Sequence, residues 1–364
     1  MWENHAALQA ISTSAAKRRR SVFMTISLID RMEDGHILTR REAETVMEEL
    51  LCGRVETPGI VRLLEALNKR RVQVQELAGF AQVMRRHATK VFVDGEARPG
   101  NMVDTCGTGG DNSNTFNIST AAAIVAAAAG ARVAKHGNRA ASSRSGSADV
   151  LEALGVRIDL PFERHGRAIR EIGIGFLFAQ AAHTATRHAM PARKQIGVRT
   201  VFNLLGPLTN PAGAQAQVVG VFSAEVIDLV AATLAELGVE RAFVVHGAGG
   251  LDEISIAGET LVAEVRDGRV RRLKFTPEEF GVPRAPLEAL HGGTAAENAV
   301  LILSVLEGEA GPMRDIVAVN AAAALVAAGA AENFRDGAEL ASRVILSGAA
   351  REKLASLVEF TRSD

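Results

Sequence analysis

The first part of the chain carries apolar residues at the spacing of an α-helix. Thr39 followed by Glu42 has the spacing of a capping box, so a helix is predicted to begin there. Thr57-Pro58 opens a second helix, and residues 74–84 give a third. The apolar positions of the first helix recur every three or four residues, at Ala43, Val46, Met47, Leu50 and Leu51. The pattern predicts a small helical N-terminal domain over residues 26–92, without strands.

Beyond residue 100 the pattern changes to short apolar runs that end in glycine or polar residues and alternate with apolar helices. Strands are predicted at 102–105, 131–134, 217–222 and 242–246, and helices at 119–129, 225–237, 295–306 and 316–328. Alternating strands and helices are typical of an α/β fold. We therefore predict a larger α/β domain with a mostly parallel central sheet covered by helices.

Composition limits the classes of function. Lysine and arginine number 41 against 42 acidic residues, so the net charge of −1 gives no general attraction to nucleic acid or membranes. The apolar run Ala121–Ala129 is too short to span a membrane. The only two cysteines, Cys52 and Cys106, cannot form a disulfide framework and lack metal-ligand spacing. A cytoplasmic protein is expected.

Residues 1–25 form the least informative segment. They contain the basic cluster Lys17-Arg18-Arg19-Arg20 and reach a second methionine at Met24. A disordered tail or an over-long start is expected here. A transit peptide is the alternative, whereas Glu3 and the missing apolar stretch argue against a secretory signal.

A glycine loop, Asp104-Thr105-Cys106-Gly107-Thr108-Gly109-Gly110-Asp111, joins the first predicted strand to the alanine-rich helix. Glycines allow a phosphate to approach the backbone amides closely. The dinucleotide fingerprint fails because its third glycine falls on Asn112, and no Gly-Lys dipeptide exists for a Walker A loop. A tight structural turn remains the alternative to a phosphate site.

Polar residues also stand at the helix start and after the second strand. Residues 114–120 place hydroxyls and amides where a helix N-terminus attracts anions, and either Ser119 or Thr120 is expected to cap that helix. Lys135, Arg139 and Arg144 follow the second strand, with serines at 142–147, and can neutralise phosphate charge. A solvated basic loop is the alternative.

The adjacent carboxylates Asp252 and Glu253 follow the apolar strand 242–246 and a glycine run. Such a pair suits Mg²⁺, which prefers oxygen ligands, although an exposed acidic turn is the alternative. The chain contains neither Gly-x-Ser-x-Gly nor His-Glu-x-x-His, and Cys106 is interpreted as a packing residue. No covalent nucleophile is predicted, which fits catalysis by positioning and electrostatics.

Taken together, these motifs resemble the anthranilate phosphoribosyltransferase family. The matching stretches are 107–111, 117–120, 135–138 with 145–149, Leu204-Leu205-Gly206-Pro207-Leu208-Thr209-Asn210-Pro211, and 252–253. The resemblance implies a homodimer in which a helical domain, completed by residues 178–197, is joined by a hinge to an α/β domain of residues 100–177 and 198–364. It also implies transfer of the phosphoribosyl group of phosphoribosyl pyrophosphate to anthranilate in tryptophan biosynthesis, without nucleic acid or membrane partners.

The resemblance also implies site residues. Ser119, Asp252 and Glu253 would hold Mg²⁺, with two ions per subunit. Anthranilate would contact Gly107, Asn138, His183 and Arg193. Phosphoribosyl pyrophosphate would be bound by Gly107, Gly110, Asp111, Thr115, Asn117, Ile118, Ser119, Thr120, Lys135, His136, Gly137, Asn138, Arg139, Ala140, Ala141, Ser142, Ser143 and Ser147.

One departure lies on the anthranilate side. The family commonly has His-Pro-Ala-Met-Lys-His where this chain has His183-Thr184-Ala185-Thr186-Arg187-His188. The change is expected to alter the helix start and the wall of the anthranilate channel. Two alternatives stay open, a pyrimidine-nucleoside phosphorylase of the same architecture and a non-catalytic nucleic-acid-binding relative. The latter should be markedly basic.

Overall fold

The computed structural model describes residues 22–92, 98–111, 113–140 and 144–363. Contacts divide it into two compact units. One contains the residues up to His87 together with His183–Leu205, and the other contains Ala88–Ala182 and the chain from Gly206 onward. The returning segment thus runs from 183 to 205 where 178–197 was expected. Val91 and Phe92, expected in the helical domain, pack in a core cluster of the second unit.

The elements follow in chain order, with helices α1 to α15 and strands β1 to β7. They are α1 (22–33), α2 (Arg40–Leu51), α3 (Thr57–Arg70), α4 (Val74–His87), β1 (Met102–Gly107), α5 (Ile118–Ala128), β2 (Arg132–Gly137), α6 (Ser147–Ala153), α7 (Phe162–Glu171), β3 (Ile174–Phe178), α8 (Ala179–Ala182), α9 (Met190–Ile196), α10 (Val201–Leu205), β4 (Ala216–Gly220), α11 (Ile227–Glu236), β5 (Arg241–His246), β6 (Thr260–Arg266), β7 (Arg269–Phe275), α12 (Ala295–Leu306), α13 (Pro312–Ala327), α14 (Phe334–Leu346) and α15 (Ala349–Arg362).

The regular elements among the described residues of the first unit are all helical, as its apolar spacing predicts. The capping box at the start of α2 is confirmed: the Glu42 amide donates to Thr39 Oγ1 at 3.3 Å, and the Thr39 amide donates to Glu42 Oε2 at 2.9 Å. Residues 1–21 of the expected tail lie outside the described residues. Residues 22–25 belong to α1, a correction to that expectation, because Thr25 is buried on the same helix face as Leu28, Ile29 and Met32.

The second unit is built on a seven-stranded sheet in the order β3-β2-β1-β4-β5-β6-β7. The pairs from β3 to β5 are parallel, whereas β6 and β7 add an antiparallel edge. The predicted fold class is confirmed. The sequence prediction omitted β3, β6 and β7, since β3 is a short buried run and the outer strand β7 is mostly exposed.

The alanine-rich helix α5 is almost wholly buried beside α13, which also contains a run of alanines. Small side chains let these helices approach each other and the sheet closely. Gly130 adopts φ +98 just beyond α5, a conformation that glycine reaches without strain, and the chain turns there into β2. This packing fixes the N-terminal end of α5 close to the carboxyl end of β1.

Candidate active site at the carboxyl edge of the sheet

Three polar loops begin at one edge of the sheet. Because β1, β2, β4 and β5 are parallel neighbours, their carboxyl ends and the loops that follow lie on the same side. Ligands of open α/β sheets bind at this edge. The glycine loop follows β1, the basic loop follows β2, and the loop with Asp252 and Glu253 follows β5.

Glycines at the ends of β1 and β4 and in the loop after β1 make room for Asp252. The Gly109 amide donates to Asp252 Oδ2 at 3.0 Å, and the Asp252 amide approaches Asp111 Oδ2 at 3.4 Å. A Cβ atom at Gly220 would lie 1.5 Å from the Asp252 carbonyl oxygen, and one at Gly107 would lie 2.6 Å from Asp252 Oδ2. The acidic loop therefore lies directly over the ends of β1 and β4, which only glycine permits.

Three carboxyl groups, those of Asp111, Asp252 and Glu253, concentrate negative charge there. Burial, followed by the charge of Asp111, raises the pKa of Asp252 to about 7. Burial, followed by the charge of Asp252, raises the pKa of Glu253 well above its usual range, although Lys135 and the Ser119 amide act in the opposite direction. Buried like charges favour either protonation or a bound cation. Carboxylate oxygens are ligands that Mg²⁺ prefers, so these residues fit that ion.

Lys135 lies beneath this acidic group and is only 3% exposed. Its ammonium donates to the Thr105 carbonyl oxygen at 2.6 Å and to Ser119 Oγ at 3.3 Å. Burial lowers the pKa of Lys135, while Asp104, Cys106 and Glu253 raise it. The side chain thus links β1 to the first turn of α5 and supplies positive charge under the loops. It is a buried cation, whereas the sequence suggested a loop cation.

Asp104 and Asn210 connect β1 to the strand that carries Lys135. Asp104 Oδ1 accepts from the His136 amide at 3.0 Å, and its Oδ2 accepts from Asn210 Nδ2 at 2.8 Å. Asn210 Nδ2 also donates to the Ala134 carbonyl oxygen at 2.7 Å. Both side chains are buried. This network assigns a structural role to the Leu204–Pro211 stretch, since it fixes the carboxyl end of β2.

The start of α5 differs from its prediction. Neither Ser119 nor Thr120 caps the helix: α5 begins at Ile118, and Asn117 is the N-cap residue without a side-chain cap. The Asn117 side chain instead donates to the Ser145 carbonyl oxygen at 3.1 Å and accepts from Asn298 Nδ2 at 2.9 Å. The predicted cap is wrong because tertiary bonds occupy the residue at the cap position. The amides of Ile118 and Thr120 donate within the same turn, to the carbonyl oxygens of Phe116 and Asn117, and the Ser119 amide donates to the Glu253 carboxylate. The positive end of the helix dipole is thus directed at the acidic loop.

The loop after β2 is held mainly by Asp149. Its Oδ2 accepts from the amides of Ala140 and Gly146 at 3.0 and 2.9 Å. Arg139 donates to Asp149 Oδ1 at 2.8 Å and to Glu152 at 2.5 and 3.0 Å, so its guanidinium is bound by carboxylates. Arg144 lies 3.9 Å from Glu297 and is largely exposed. Ala141, Ser142 and Ser143 lie outside the described residues.

Some predicted residues contribute through the backbone or through packing. Ile118 is buried in the core, and the His136 side chain is buried as well. Ser147 Oγ donates to the Asn138 carbonyl oxygen at 3.3 Å, and a Cβ atom at Gly137 would lie 2.1 Å from that hydroxyl oxygen. Ser113 and Thr115 hydroxyls lie 3.2 Å apart. Gly110 adopts φ +76 in the glycine loop.

Two protein-family models match successive parts of the chain. Residues 26–88 match the family model described as "Glycosyl transferase family, helical bundle domain", and residues 99–351 match "Glycosyl transferase family, a/b domain". Anthranilate phosphoribosyltransferase of Pelotomaculum thermopropionicum is 52% identical over 338 residues, covering 93% of this chain and 97% of the relative. That of Anaeromyxobacter sp. (strain K) is 54% identical over 333 residues, covering 92% and 97%.

This chain belongs to the anthranilate phosphoribosyltransferase family. The crystal structure of the family member from Thermus thermophilus superposes with a TM-score of 0.86 at 49% identity, covering 92% of this chain and 99% of that chain. The Saccharomyces cerevisiae enzyme in complex with PRPP and Mg gives a TM-score of 0.79 at 28% identity, covering 89% and 93%. The nearly complete coverage extends the family likeness across both units.

The four residues predicted to contact anthranilate belong to different units. Gly107 and Asn138 belong to the α/β unit, and His183 and Arg193 belong to the helical unit. Burial lowers the pKa of Arg193, and its guanidinium carbon lies 5.3 Å from the centre of the Phe202 ring. A partly buried cation held over an aromatic face keeps a fixed orientation, which suits a carboxylate ligand.

The departure from the family motif forms a 3₁₀ helix, Thr184–Ala189, before α9 begins at Met190. The Thr186 hydroxyl donates to the His183 carbonyl oxygen at 2.7 Å, and the Thr186 amide donates to the same oxygen at 3.0 Å. Thr186 therefore stabilises this turn by its own side chain. In this chain the hydroxyl group holds a turn where the family commonly has proline and methionine.

The sequence prediction assigned no role to several polar residues that hold the loops. Asp104 and Asp149 were part of quoted motifs, and Asn298 lay inside an apolar helix. Asn298 is buried and accepts from the Gly293 amide at 2.6 Å while donating to Asn117. The available signal was a polar residue within an otherwise apolar stretch, since a buried polar side chain must find partners.

Proposed function

We propose that this chain performs its family's reaction at the loops described above. It transfers the phosphoribosyl group of phosphoribosyl pyrophosphate to the amine of anthranilate, giving N-(5-phosphoribosyl)anthranilate and pyrophosphate in tryptophan biosynthesis. The observation that carries the proposal is the cluster of Asp111, Asp252 and Glu253 beside glycine loops and the uncapped start of α5. The Saccharomyces cerevisiae relatives in complex with PRPP and Mg and with 4-fluoroanthranilate support it.

Asp252, Glu253 and Ser119 would hold Mg²⁺, with two ions per subunit. Asp111, which lies against Asp252, joins this donor set on geometric grounds. When bound, Mg²⁺ supplies the positive charge that stabilises the departing pyrophosphate. Ser119 suits this set because its amide already lies at the Glu253 carboxylate.

The chain's own groups would hold the donor substrate by its phosphates. The phosphates would lie at the glycine loop and at the first turn of α5, where the dipole of the helix favours their charge. Lys135 adds positive charge below the same loops. The proposed phosphoribosyl pyrophosphate site therefore consists of Gly107, Gly110, Asp111, Thr115, residues 117–120, residues 135–143 and Ser147.

The acceptor step needs no covalent enzyme nucleophile. Anthranilate's aniline nitrogen is neutral, so it can attack the ribose carbon once positive charge develops there. Burial, followed by the charge of Asp104, raises the pKa of the Cys106 thiol well above its usual range, so this cysteine is kept un-ionised. Arg193 would orient the anthranilate carboxylate, with His183, Asn138 and Gly107 as further contacts.

We also propose a homodimer and a cytoplasmic location. The helical unit exposes the apolar side chains of Phe23, Met24 and Ile37, at 77%, 47% and 45%. Exposed apolar side chains on one unit favour an interface between copies of the chain. Within the described residues no helix is both long and apolar enough to cross a membrane. Light scattering of the purified chain tests the dimer.

The test of the function follows anthranilate fluorescence with purified protein, phosphoribosyl pyrophosphate and Mg²⁺. The proposal predicts a rapid decrease that EDTA abolishes and that restored Mg²⁺ recovers. Phosphate-dependent cleavage of thymidine without Mg²⁺, with unchanged anthranilate fluorescence, would instead support a nucleoside phosphorylase. Binding of DNA with steep salt dependence and no turnover would support a nucleic-acid-binding relative.

A further inference from the structure

The helical unit contains a group of potential metal ligands that the reaction does not use. In the part of the chain that the structure describes, Glu48, Cys52 and His87 each offer a ligand atom, and these atoms all lie within 4.8 Å of one another. None of the three belongs to the loops that bind the substrates. The sequence alone shows no sign of this group, because Cys52 and His87 are far apart along the chain and lack metal-ligand spacing.

Close packing of two helices brings the group together. A Cβ atom at Gly79 in α4 would lie 2.7 Å from the Arg40 carbonyl oxygen and 2.9 Å from Ala43 Cβ in α2. The helices therefore approach closely in their N-terminal halves and run in the same direction. Further along both helices, Glu48 and His87 meet. Glu48 and Cys52 lie on one face because residues four apart on a helix are neighbours.

One of the two ligand separations matches tetrahedral coordination, and the other is shorter by a few tenths of an ångström. His87 Nε2 lies 2.9 Å from Glu48 Oε1, and Cys52 Sγ lies 3.5 Å from the same oxygen. Metal–ligand bonds of roughly 2.0–2.3 Å imply ligand-to-ligand separations of about 3.3–3.8 Å in a tetrahedron. Small rotamer adjustments would open the pair of His87 and Glu48 enough for an ion. A fourth position remains for water.

Charge and access also favour a cation here. Cys52 is the C-cap residue of α2 and His87 ends α4, so the partial negative charge of two helix C-termini is directed at the group. The side chains of His87 and Glu48 are 29% and 37% exposed, and Cys52 is exposed. Arg86 opposes the cation, but it is shared between Glu44 and Glu48 at 3.3 and 3.8 Å.

We propose that Glu48, Cys52 and His87 form a second metal site that binds a soft divalent ion of the Zn²⁺ type and links α2 to α4. Sulfur and imidazole ligands select such ions over Mg²⁺, which prefers oxygen. The site is chemically distinct from the acidic cluster of the α/β unit. We therefore expect the helical unit to prefer Zn²⁺-type ions and the α/β unit to prefer Mg²⁺.

Cobalt substitution tests the proposal through the thiolate absorption band of Co²⁺, because only a cysteine ligand produces that band. The chain has only two cysteines, which gives a matched pair of variants. In buffer that contains a phosphine reductant and no added thiol, the wild-type chain and Cys106→Ser should both show the band, and excess Zn²⁺ should remove it. Cys52→Ser should lose it. Absence of the band from the wild type, or its persistence in Cys52→Ser, would overturn the proposal.

A second measurement follows thermal unfolding with and without Zn²⁺, in the presence of saturating Mg²⁺ and without chelator. An ion that binds only the folded state raises the midpoint. The shift should appear in the wild type and fall strongly in Cys52→Ser and His87→Gln. Loss of an outer-shell partner alone lowers metal affinity roughly 10–100-fold, so loss of a ligand should cost at least as much. An equal shift in all three proteins would contradict the site.

Discussion

Two charged clusters in the α/β unit show opposite arrangements. Arg139 is bound by Asp149 and Glu152, so positive and negative groups offset one another at the surface. Asp111, Asp252 and Glu253 instead gather like charges in a partly buried place, where repulsion adds to desolvation in raising the pKa of Asp252 and Glu253. The charges of the first cluster are therefore balanced without a bound ligand. The second holds more negative charge than Lys135 offsets and suits a bound cation, which marks it as functional.

The largest expected effect comes from neutralising the acidic cluster. Asp252→Asn and Glu253→Gln keep the shape but remove the negative charge, so each should lower turnover about 10²–10³-fold, as loss of one electrostatic contact to the transition state does. Steady-state assays of anthranilate consumption at limiting Mg²⁺ measure this. Glu152→Gln is the matched control from the neutralised cluster and should remain close to the wild type. Equal losses of turnover in the variants of both clusters would contradict the functional difference between them.

Crowding the acidic loop tests whether its position matters. In Gly220→Ala the new Cβ atom would lie 1.5 Å from the Asp252 carbonyl oxygen, so the loop must move. Overpacking of this kind costs about 1–3 kcal/mol of unfolding free energy, and turnover should fall together with it. Denaturant titration and activity are measured together. Gly100→Ala, where no atom lies within 4 Å of the new Cβ, is the control and should change neither.

Stability without metal should depend on pH in a defined direction. The pKa of Asp252 rises from 3.8 to about 7 on folding, so the folded chain keeps a proton that the unfolded chain releases. Its contribution is present below about pH 4 and is lost as the pH rises toward 7. Mg²⁺ should restore stability above that range. Denaturant titrations at several pH values, with EDTA or Mg²⁺, measure this.

His165 changes stability with pH in the opposite direction to Asp252. Burial lowers the pKa of His165 to about 4, so its contribution to stability is lost as the pH falls toward that value. The difference in unfolding free energy between the wild type and Asp252→Asn isolates the effect of the Asp252 carboxyl group. At about pH 8 in EDTA the variant should be the more stable protein, since it lacks a buried like charge. If the wild type stays more stable under those conditions, the negative charge of Asp252 does not destabilise the folded protein.

Breaking the network beneath the basic loop should have an intermediate effect. Asn210→Ala removes the donor to Asp104 and to the Ala134 carbonyl oxygen, and an unpaired buried polar group costs about 1–3 kcal/mol. A double-mutant cycle with Asp104→Asn, measured by denaturant unfolding, isolates the coupling of the two side chains. Strictly additive losses would refute a direct role of Asn210 in holding Asp104.

The smallest effect is expected at the surface cluster. Arg139→Gln breaks its pairs with Asp149 and Glu152, both at least partly exposed, so unfolding free energy should change by less than about 1 kcal/mol. The Michaelis constant for phosphoribosyl pyrophosphate should change less than about tenfold, because the Arg139 guanidinium is already bound by carboxylates and the residue would serve the proposed site through its backbone. A much larger increase in that constant would assign the Arg139 guanidinium itself to a phosphate.

Local sequence patterns predicted much of the fold but few of the side-chain contacts that hold the loops. The spacing of Thr39 and Glu42 predicted the start of α2, because a capping box involves only neighbouring residues. The cap of α5 failed, since Asn117 is bound by Ser145 and Asn298, which come from distant segments. Strand β7 was missed because an exposed antiparallel edge depends on its partner β6 more than on its own apolar residues.

The same limit applies to the site. Glycine and acidic residues could be placed at strand ends from the sequence, but nothing local shows that Gly220 passes under Asp252. Nor does the sequence reveal that Lys135 is directed inward to the Thr105 carbonyl oxygen. Both depend on the order of β1, β2, β4 and β5 in the sheet.

The proposed function depends on a catalytic cation held by the acidic cluster. A crystal structure with phosphoribosyl pyrophosphate and Mn²⁺ in place of Mg²⁺ tests this, since Mn²⁺ is located by its anomalous scattering. We expect Mn²⁺ within coordinating distance of Asp252 and Glu253 and of the pyrophosphate oxygens. Pyrophosphate bound with Mn²⁺ away from both carboxylates would contradict it.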